Sequence, residues 1–485
     1  MGFLDLSCRQ VPGDTHLIGR AGAVLEGRLL KCRPSLVGGR PRARVQGEPG
    51  PPGGQHHPRR GTPARVPTPR PAKGRPTVYS LLLAIIYVAF VSLGLPDSLV
   101  GAGWPVMQRD LGVPVAYAGI VTMIIAGGTI VSSLASERLT RRLGTGVVTA
   151  LSVGLTAAAL LGFSQSGSFW VLCLWAVPYG LGAGAVDAAL NNYVALHYAA
   201  RHMSWLHGCW GLGASISPFV MSHAITSGAG WPSAYLTIGL AQVVLTAVLL
   251  VSTPLWGRVN PVAQKGGSTG GTGSGGAEER SGHVPLAQAL RIPGVRLVLV
   301  AFFAYCALET TSIVWASTFL VTARDVAPAT AAAFASLFLI GITAGRFLTG
   351  FVADRIGDRW LIRGGFAAVG VGALLLLVPL ESDVLALAGL VVAGLGCAPV
   401  YPAIIHSTPV NFGRGSSQAV IGIQMAAAYT GSTLAPPAFG ALSAWTGLWV
   451  LPLFLAVLAA LGLVMSERLN QLVTRRALVG EHASA

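Results

Sequence analysis

Long apolar runs separated by short polar intervals repeat twelve times between Thr77 and about Glu467, near 78–103, 116–136, 146–163, 169–196, 206–226, 232–253, 296–322, 329–353, 361–379, 384–406, 417–441 and 446–466. Most approach the about 20 residues a helix needs to cross ~30 Å of hydrocarbon. A lipid solvent admits only helices and closed barrels, because every backbone polar group must be satisfied within the protein. The pattern therefore predicts an all-α membrane protein of twelve transmembrane helices.

The longest polar interval contains GGSTGGTGSGG at 266–276, a composition that behaves as a flexible linker. It separates six runs from six, and short echoes cross it in order. Ser133, Glu137 and Arg138 match Gly350, Asp354 and Arg355; GLG at 180–182 recurs at 394–396; GASISP at 213–218 recurs as GSTLAP at 431–436. The expected organisation is a tail over 1–76, a six-helix half over 77–256, a cytoplasmic linker over 257–295, a second half over 296–468 and a cytoplasmic tail over 469–485. Two pseudo-symmetric six-helix halves in parallel orientation are the anatomy of one transporter class, with the solute bound near the bilayer midplane between them.

Composition agrees with a lipid solvent: 52% of the 485 residues are hydrophobic, 11% are charged, and the mean hydropathy is +0.63. Charge then sets orientation, since short cytoplasmic loops hold an excess of Lys and Arg. Of the 19 basic residues after position 76, sixteen fall on one side of a twelve-helix topology, and Arg109 and Arg324 fall on the other. Both termini are accordingly expected in the cytoplasm, with the protein in the plasma membrane. The high net charge of +15 is not a sign of nucleic-acid binding. The first 76 residues alone supply 14 basic against 4 acidic residues, and 25 of them are Gly or Pro. Such a segment reads as a solvated tail or a start placed too far upstream, although a basic tail is able to touch anionic lipid or nucleic acid. It has no apolar stretch of about 7 to 15 residues of the secretory kind. The six cysteines form no CxxC pair, so neither a disulfide framework nor a metal site is expected.

An ionised side chain at a helix centre costs about 2.5 to 3.5 kcal/mol on insertion scales, so charges inside the runs mark function or pairing. There are four: Asp97, Asp187, Glu309 and Arg346. Asp187 shares a helical stripe with Gly180, Gly184 and Asn191, which places carboxylate and amide on one crevice-facing side. Asp97 follows Gly94 and Pro96, and a helix broken there would free backbone groups for a polar ligand. The same pair of residues also fits an exposed helix end. Glu309 lies mid-helix with Tyr305 and Ser312 on its face; it is either a used carboxylate or one paired with a second-half helix. Arg346 reads either as a used charge or as a side chain snorkelling to the interface. His207 and His406 read as ordinary hydrogen-bonded histidines, while Trp205, Trp210, Trp315 and Tyr401 offer faces on which a sugar ring stacks. Most Trp in such proteins belongs to interfacial belts instead.

GFVADRIGDR, residues 350–359, resembles the loop motif of the major facilitator superfamily, and SSLASERLTRR at 132–142 looks like its degenerate first-half copy. The departures are Ser133, Glu137, Thr140 and Asp358. The resemblance implies a conformational latch at Glu137, Arg138, Arg142, Asp354 and Arg355. GLPDSLVGAGWP at 94–105, GLGAGAVDAALNNYV at 180–194 and MSWLHGCWGLGAS at 203–215 further resemble the fucose permease-like branch. Those permeases carry Glu where this chain has Asp187, and an amide where it has His207.

By that similarity Asp97 and Asp187 would be the coupling carboxylates, and Asn191 and His207 would sit near the solute. Glu309 is added as a third coupling candidate, and Asn192, Trp210, Tyr305, Trp315, Tyr401 and Gln424 as solute contacts. The expected activity is proton-coupled symport of a small polar solute, a sugar foremost, by a monomer whose partners are that solute and the bilayer. No cofactor beyond the coupling ion is expected. Oxygen ligands from the carboxylates and Asn191 suit Na⁺ as well as protons. An efflux antiporter for amphipathic compounds is the alternative, disfavoured because GLGASISPFV lacks the G-P-x-x-G-G pattern of drug antiporters. A non-transporting membrane sensor ranks below both. The chain carries no H-E-x-x-H, and its G-x-S-x-G match at 266–270 falls in the Gly- and Ser-rich linker rather than at a strand-to-helix turn, so no enzyme is expected.

Overall fold

The computed structural model describes residues 76–259, 285–378 and 384–484. The expected tail over 1–76 and most of the expected linker lie outside the described residues. Among the described residues fourteen α-helices follow in order: α1 (Pro76–Gly94), α2 (Leu99–Asp110), α3 (Ala118–Leu143), α4 (Thr145–Ser164), α5 (Phe169–His197), α6 (Ala200–Thr226), α7 (Gly230–Val259), the single turn α8 (Leu286–Ala289), α9 (Val295–Arg324), α10 (Pro328–Ile356), α11 (Asp358–Leu377), α12 (Val384–Phe412), α13 (Ser417–Thr446) and α14 (Leu451–Ser484). With α1 and α2 counted as one broken span and α8 set aside, these are the twelve expected helices.

Ten spans are long and apolar enough to cross a bilayer on composition alone. The other two are α6 and α13, which have the same length but carry more polar residues. They are equivalent helices of the two halves, and both lie at the seam between halves, α6 against α10 and α13 against α3. Their polarity follows from facing protein rather than lipid. Packing repeats across the halves as the sequence echoes predict: α3 on α5 corresponds to α10 on α12, α4 on α7 to α11 on α14, and α1 on α6 to α9 on α13. Phe219, Leu174, Val251 and Val457 are more than two-thirds exposed, an apolar surface suited to lipid.

The loop motif's glycine has a local cause. Gly357 closes α10 at φ 81°, a conformation that costs a side chain but not glycine. In the first half its counterpart is Thr140, so α3 continues one turn further and closes at Gly144, φ 80°. At the chain's end, residues 469–484 of the expected tail continue α14. Its Glu, Arg, Gln, Leu and Ala favour helix and include no Pro. Leu469 is buried, and Arg476 donates to the Pro293 carbonyl at 3.0 Å.

The first span breaks at residues 95–98, as Gly94 and Pro96 predicted. A Cβ at Gly94 would collide with the Trp210 carbonyl, so α1 runs directly against α6. Pro96 has no N–H for the carbonyl of Ser92 four residues earlier. Gln242 of α7 fills that gap: its Nε2 donates to Ser92 O at 2.8 Å, and its Oε1 accepts from Thr156 Oγ1 at 3.0 Å. Gln242 is buried, and a buried acceptor left unsatisfied costs about 1–3 kcal/mol. Gln242→Leu is therefore expected to lower the apparent Tm in detergent, whereas Leu245→Met on the same helix is expected to leave it within a degree or two; equal behaviour of the two variants would contradict this account.

Candidate functional site

The break in the first span leaves Asp97 accessible between α5 and α6. Its Oδ1 accepts from Tyr179 Oη of α5 and its Oδ2 from Trp210 Nε1 of α6, both at 2.8 Å. Trp210 has a second neighbour. The Arg346 guanidinium of α10 lies over its ring, 5.6 Å from the centroid, and donates through Nη2 to Glu309 Oε1 of α9 at 3.1 Å. Arg346 is buried, so the snorkelling alternative is overturned. A side chain eight residues before the helix motif's Asp354 points inward because the neighbouring helix supplies a carboxylate and an indole face, which the lipid interface does not match. The paired alternative for Glu309 is the arrangement observed.

Asp187 is 4% exposed and sits on the seam. Its Oδ1 accepts from Asn191 Nδ2 one turn away, and its Oδ2 accepts from Tyr429 Oη of α13 in the other half, both at 2.7 Å. Asn191 Oδ1 meets His207 Nε2 at 3.0 Å, and the His207 ring lies between Phe90 of α1 and Tyr401 of α12. Tyr305 is packed behind Tyr401 and donates to the Cys397 carbonyl at 2.9 Å. The first span, α5, α6, α9 and α12 thus bring Asp97, Asp187, Asn191, His207, Trp210, Tyr305, Tyr401 and Glu309 together in the centre of the bundle. The donors on the two aspartates are phenol, indole and amide, so proton binding at either has no ion pair to break.

Residues 86–322 and 297–476 match the profile of the Major Facilitator Superfamily. The chain belongs to that superfamily. It is an integral membrane transporter, and its solved relatives share its architecture. The fucose:proton symporter FucP of E. coli superposes with a TM-score of 0.62 at 15% identity, covering 81% of this chain and 99% of that one; another FucP structure shows the outward conformation. The proton:xylose symporter XylE, bound to 6-bromo-6-deoxy-D-glucose, gives a TM-score of 0.66 at 11% identity over 82% and 96% of the two chains. In sequence, bypass of stop codon protein 6 of Saccharomyces cerevisiae is 24% identical over 284 residues, which are 56% of this chain and 57% of the yeast protein.

In this superfamily member the seam is joined at the end where α3, α5, α10 and α12 finish, which is also the end rich in arginine. Asp354 of α10 accepts from the backbone N–H of Arg201 at 3.1 Å and pairs with its guanidinium at 3.5 Å, capping the first turn of α6 across the seam. Both side chains are at least a third exposed, so the pair is a weak one. Gln418, which bears the same offset of 217 from Arg201, donates to Ser136 Oγ of α3 at 3.0 Å in the equivalent place. Glu137 pairs with Arg141 at 3.7 Å, and Arg138, Arg142 and Arg355 are exposed at this basic end. Arg414 Nη2 to Leu196 O and Trp205 Nε1 to Phe347 O complete the closure.

Three expected solute contacts lie apart from the central cluster. Asn192 accepts from Ser417 Oγ at 2.6 Å on the basic side, and Gln424 accepts there from Thr408 Oγ1. Trp315 donates to Pro436 O within the second half, toward the opposite end. His406 meets Asp358 at 2.6 Å, which gives the motif's departure at 358 a partner. Sequence reasoning missed Tyr179, Tyr429 and Arg201. A signal for Tyr429 was present: Trp210 and Tyr429 each precede the proline of the repeated segment by seven or eight residues, and each donates to a carboxylate.

Proposed function

We propose that this transporter couples entry of a small polar solute, a sugar foremost, to entry of protons. Asp97 and Asp187 carry the coupling protons, and Asn191, His207, Trp210 and Tyr401 line the path of the solute. The observation that carries the reading is a pair of carboxylates without basic partners, one accessible at the helix break and one buried across the seam. In an apolar site a carboxyl's neutral form gains stability, and Tyr429 ties the state of Asp187 to the second half. FucP and XylE are sugar:proton symporters by name, and shared architecture adds support at the level of fold. On this reading the basic end is cytoplasmic by the charge rule, the closed basic end is an outward-facing state, and the protein works in the plasma membrane with both termini in the cytoplasm.

The latch reading of the basic end goes with this: Asp354 and Arg201 hold the outward-facing state and separate when the halves rock. Proteoliposomes loaded with a pH-sensitive dye and given monosaccharides from outside at fixed pH test the reading. Internal acidification by one sugar is the expected result. Solute entry that needs external Na⁺ and leaves the interior pH unchanged would replace the proton as coupling ion, and silence across the panel by folded protein would bring efflux forward.

A further inference from the structure

Trp210 occupies a position that solute stacking does not explain. Its indole N–H donates to Asp97 of the first half while its ring carries Arg346 of the second, and Arg346 is in turn held by Glu309. The indole is a donor only, so it engages Asp97 best as a carboxylate. Tyr179, by contrast, can turn its hydroxyl from donor to acceptor. A proton arriving at Asp97 therefore settles on Oδ1, Tyr179 becomes the acceptor, and Oδ2 is left as a neutral carbonyl oxygen. The bond from Trp210 changes from charge-assisted to ordinary, with about half its strength.

We propose that Trp210 is the positioning residue through which the charge on Asp97 holds the two halves together, so that a carrier without its proton stays closed at the basic end. The proposal rests on Asp97 as a proton site. It also accounts for the ion pair Arg346–Glu309, because the guanidinium is the fixed cation that an ionised Asp97 reaches through the indole and a protonated Asp97 does not. The ionisable groups facing Asp97 are Tyr179 and Asp187 on α5 and Tyr429 on α13, with Tyr235 of α7 behind Tyr179. Of these, Asp187 is the other group that changes charge in the proposed cycle, and its donors are Tyr429 and Asn191, not Trp210.

The test needs no solute. Spin labels at Ala199→Cys and Gly415→Cys, both exposed in loops of opposite halves at the basic end, report the seam by double electron–electron resonance in nanodiscs. With the native Trp210, acid is expected to raise the ratio of open to closed distances on the order of fivefold, the size of a typical coupling. All proteins compared carry Asp187→Asn, so that Asp97 is the one coupling carboxylate left to titrate, and in that background Asp97→Asn is expected to show the open ratio at every pH. Trp210→Phe, which keeps a ring under Arg346 and removes the donor, is expected to flatten the pH profile in the same way, and the two substitutions together to add nothing.

A Trp210→Phe protein that keeps the native pH profile overturns the proposal, while flattening by Asp97→Asn would leave Asp97 in place as proton site. A profile unmoved by Asp97→Asn defeats both. Should Trp210→Phe fail to fold, Arg346→Gln with Glu309→Gln removes the cation and its partner together. It is expected to flatten the profile with Trp210 intact, and an unchanged profile in that protein overturns the proposal equally.

Discussion

Asp187→Asn is expected to abolish solute-driven proton entry, by roughly a hundredfold, the upper range of coupling between two ligands. Asparagine is close to isosteric, keeps an oxygen to accept from Tyr429 at the seam, and cannot take a proton. Exchange of the responding solute at equal concentrations on both sides is expected to fall far less than proton entry, because exchange does not need the site to be emptied of its proton. Tyr429→Phe separates the two parts of this account. It leaves the carboxylate but removes its cross-seam donor at 2.7 Å, and is expected to weaken coupling without eliminating proton entry. Dye-loaded proteoliposomes measure both variants. Full proton entry in Asp187→Asn would remove that residue from the mechanism.

Arg346→Leu is expected to be the most destabilising single change in the centre of the protein. It strands Glu309, and breaking a buried pair by deleting one partner costs about 3–5 kcal/mol. Glu309 retains 13% side-chain exposure, which puts the expectation toward the lower end. Arg346→Leu combined with Glu309→Leu is expected to recover most of the loss, since a buried ion pair is often no more stabilising than apolar residues of similar volume. Thermal unfolding in detergent, followed by size-exclusion chromatography, measures both. If the double variant is as unstable as the single one, the pair is more than a compensated charge.

The two halves of the centre therefore differ in kind. Asp97 and Asp187 in the first half are held by neutral donors, whereas the second half presents a carboxylate already matched by an arginine. Trp210 touches both Asp97 and Arg346, and Tyr429 of the second half reaches Asp187. The arrangement gives proton binding on one side a way to alter contacts with the other, which is what differential stabilisation of two conformations requires.

Much of this was legible in the chain. Apolar run length placed the helices, most plainly the ten apolar enough to cross a bilayer on composition alone, because crossing hydrocarbon imposes a local constraint that distant residues cannot relax. The same solvent made Asp97, Asp187, Glu309 and Arg346 conspicuous, since a charge among apolar residues must be used or paired. Gly94 and Pro96 foretold the helix break, and the repeated segments foretold two similar halves. Which charges meet was decided only by tertiary structure. Tyr179 reaches Asp97 from 82 positions away and Tyr429 reaches Asp187 from 242. Arg346 turns inward because of the rotation of α10 about its own axis, which is set by its packing against α12, α6 and α9. Hydropathy fixes where a helix lies in the membrane. The partner of each polar side chain depends on helix rotation and seam contacts, which are sums over many residues and have no local signature in the sequence.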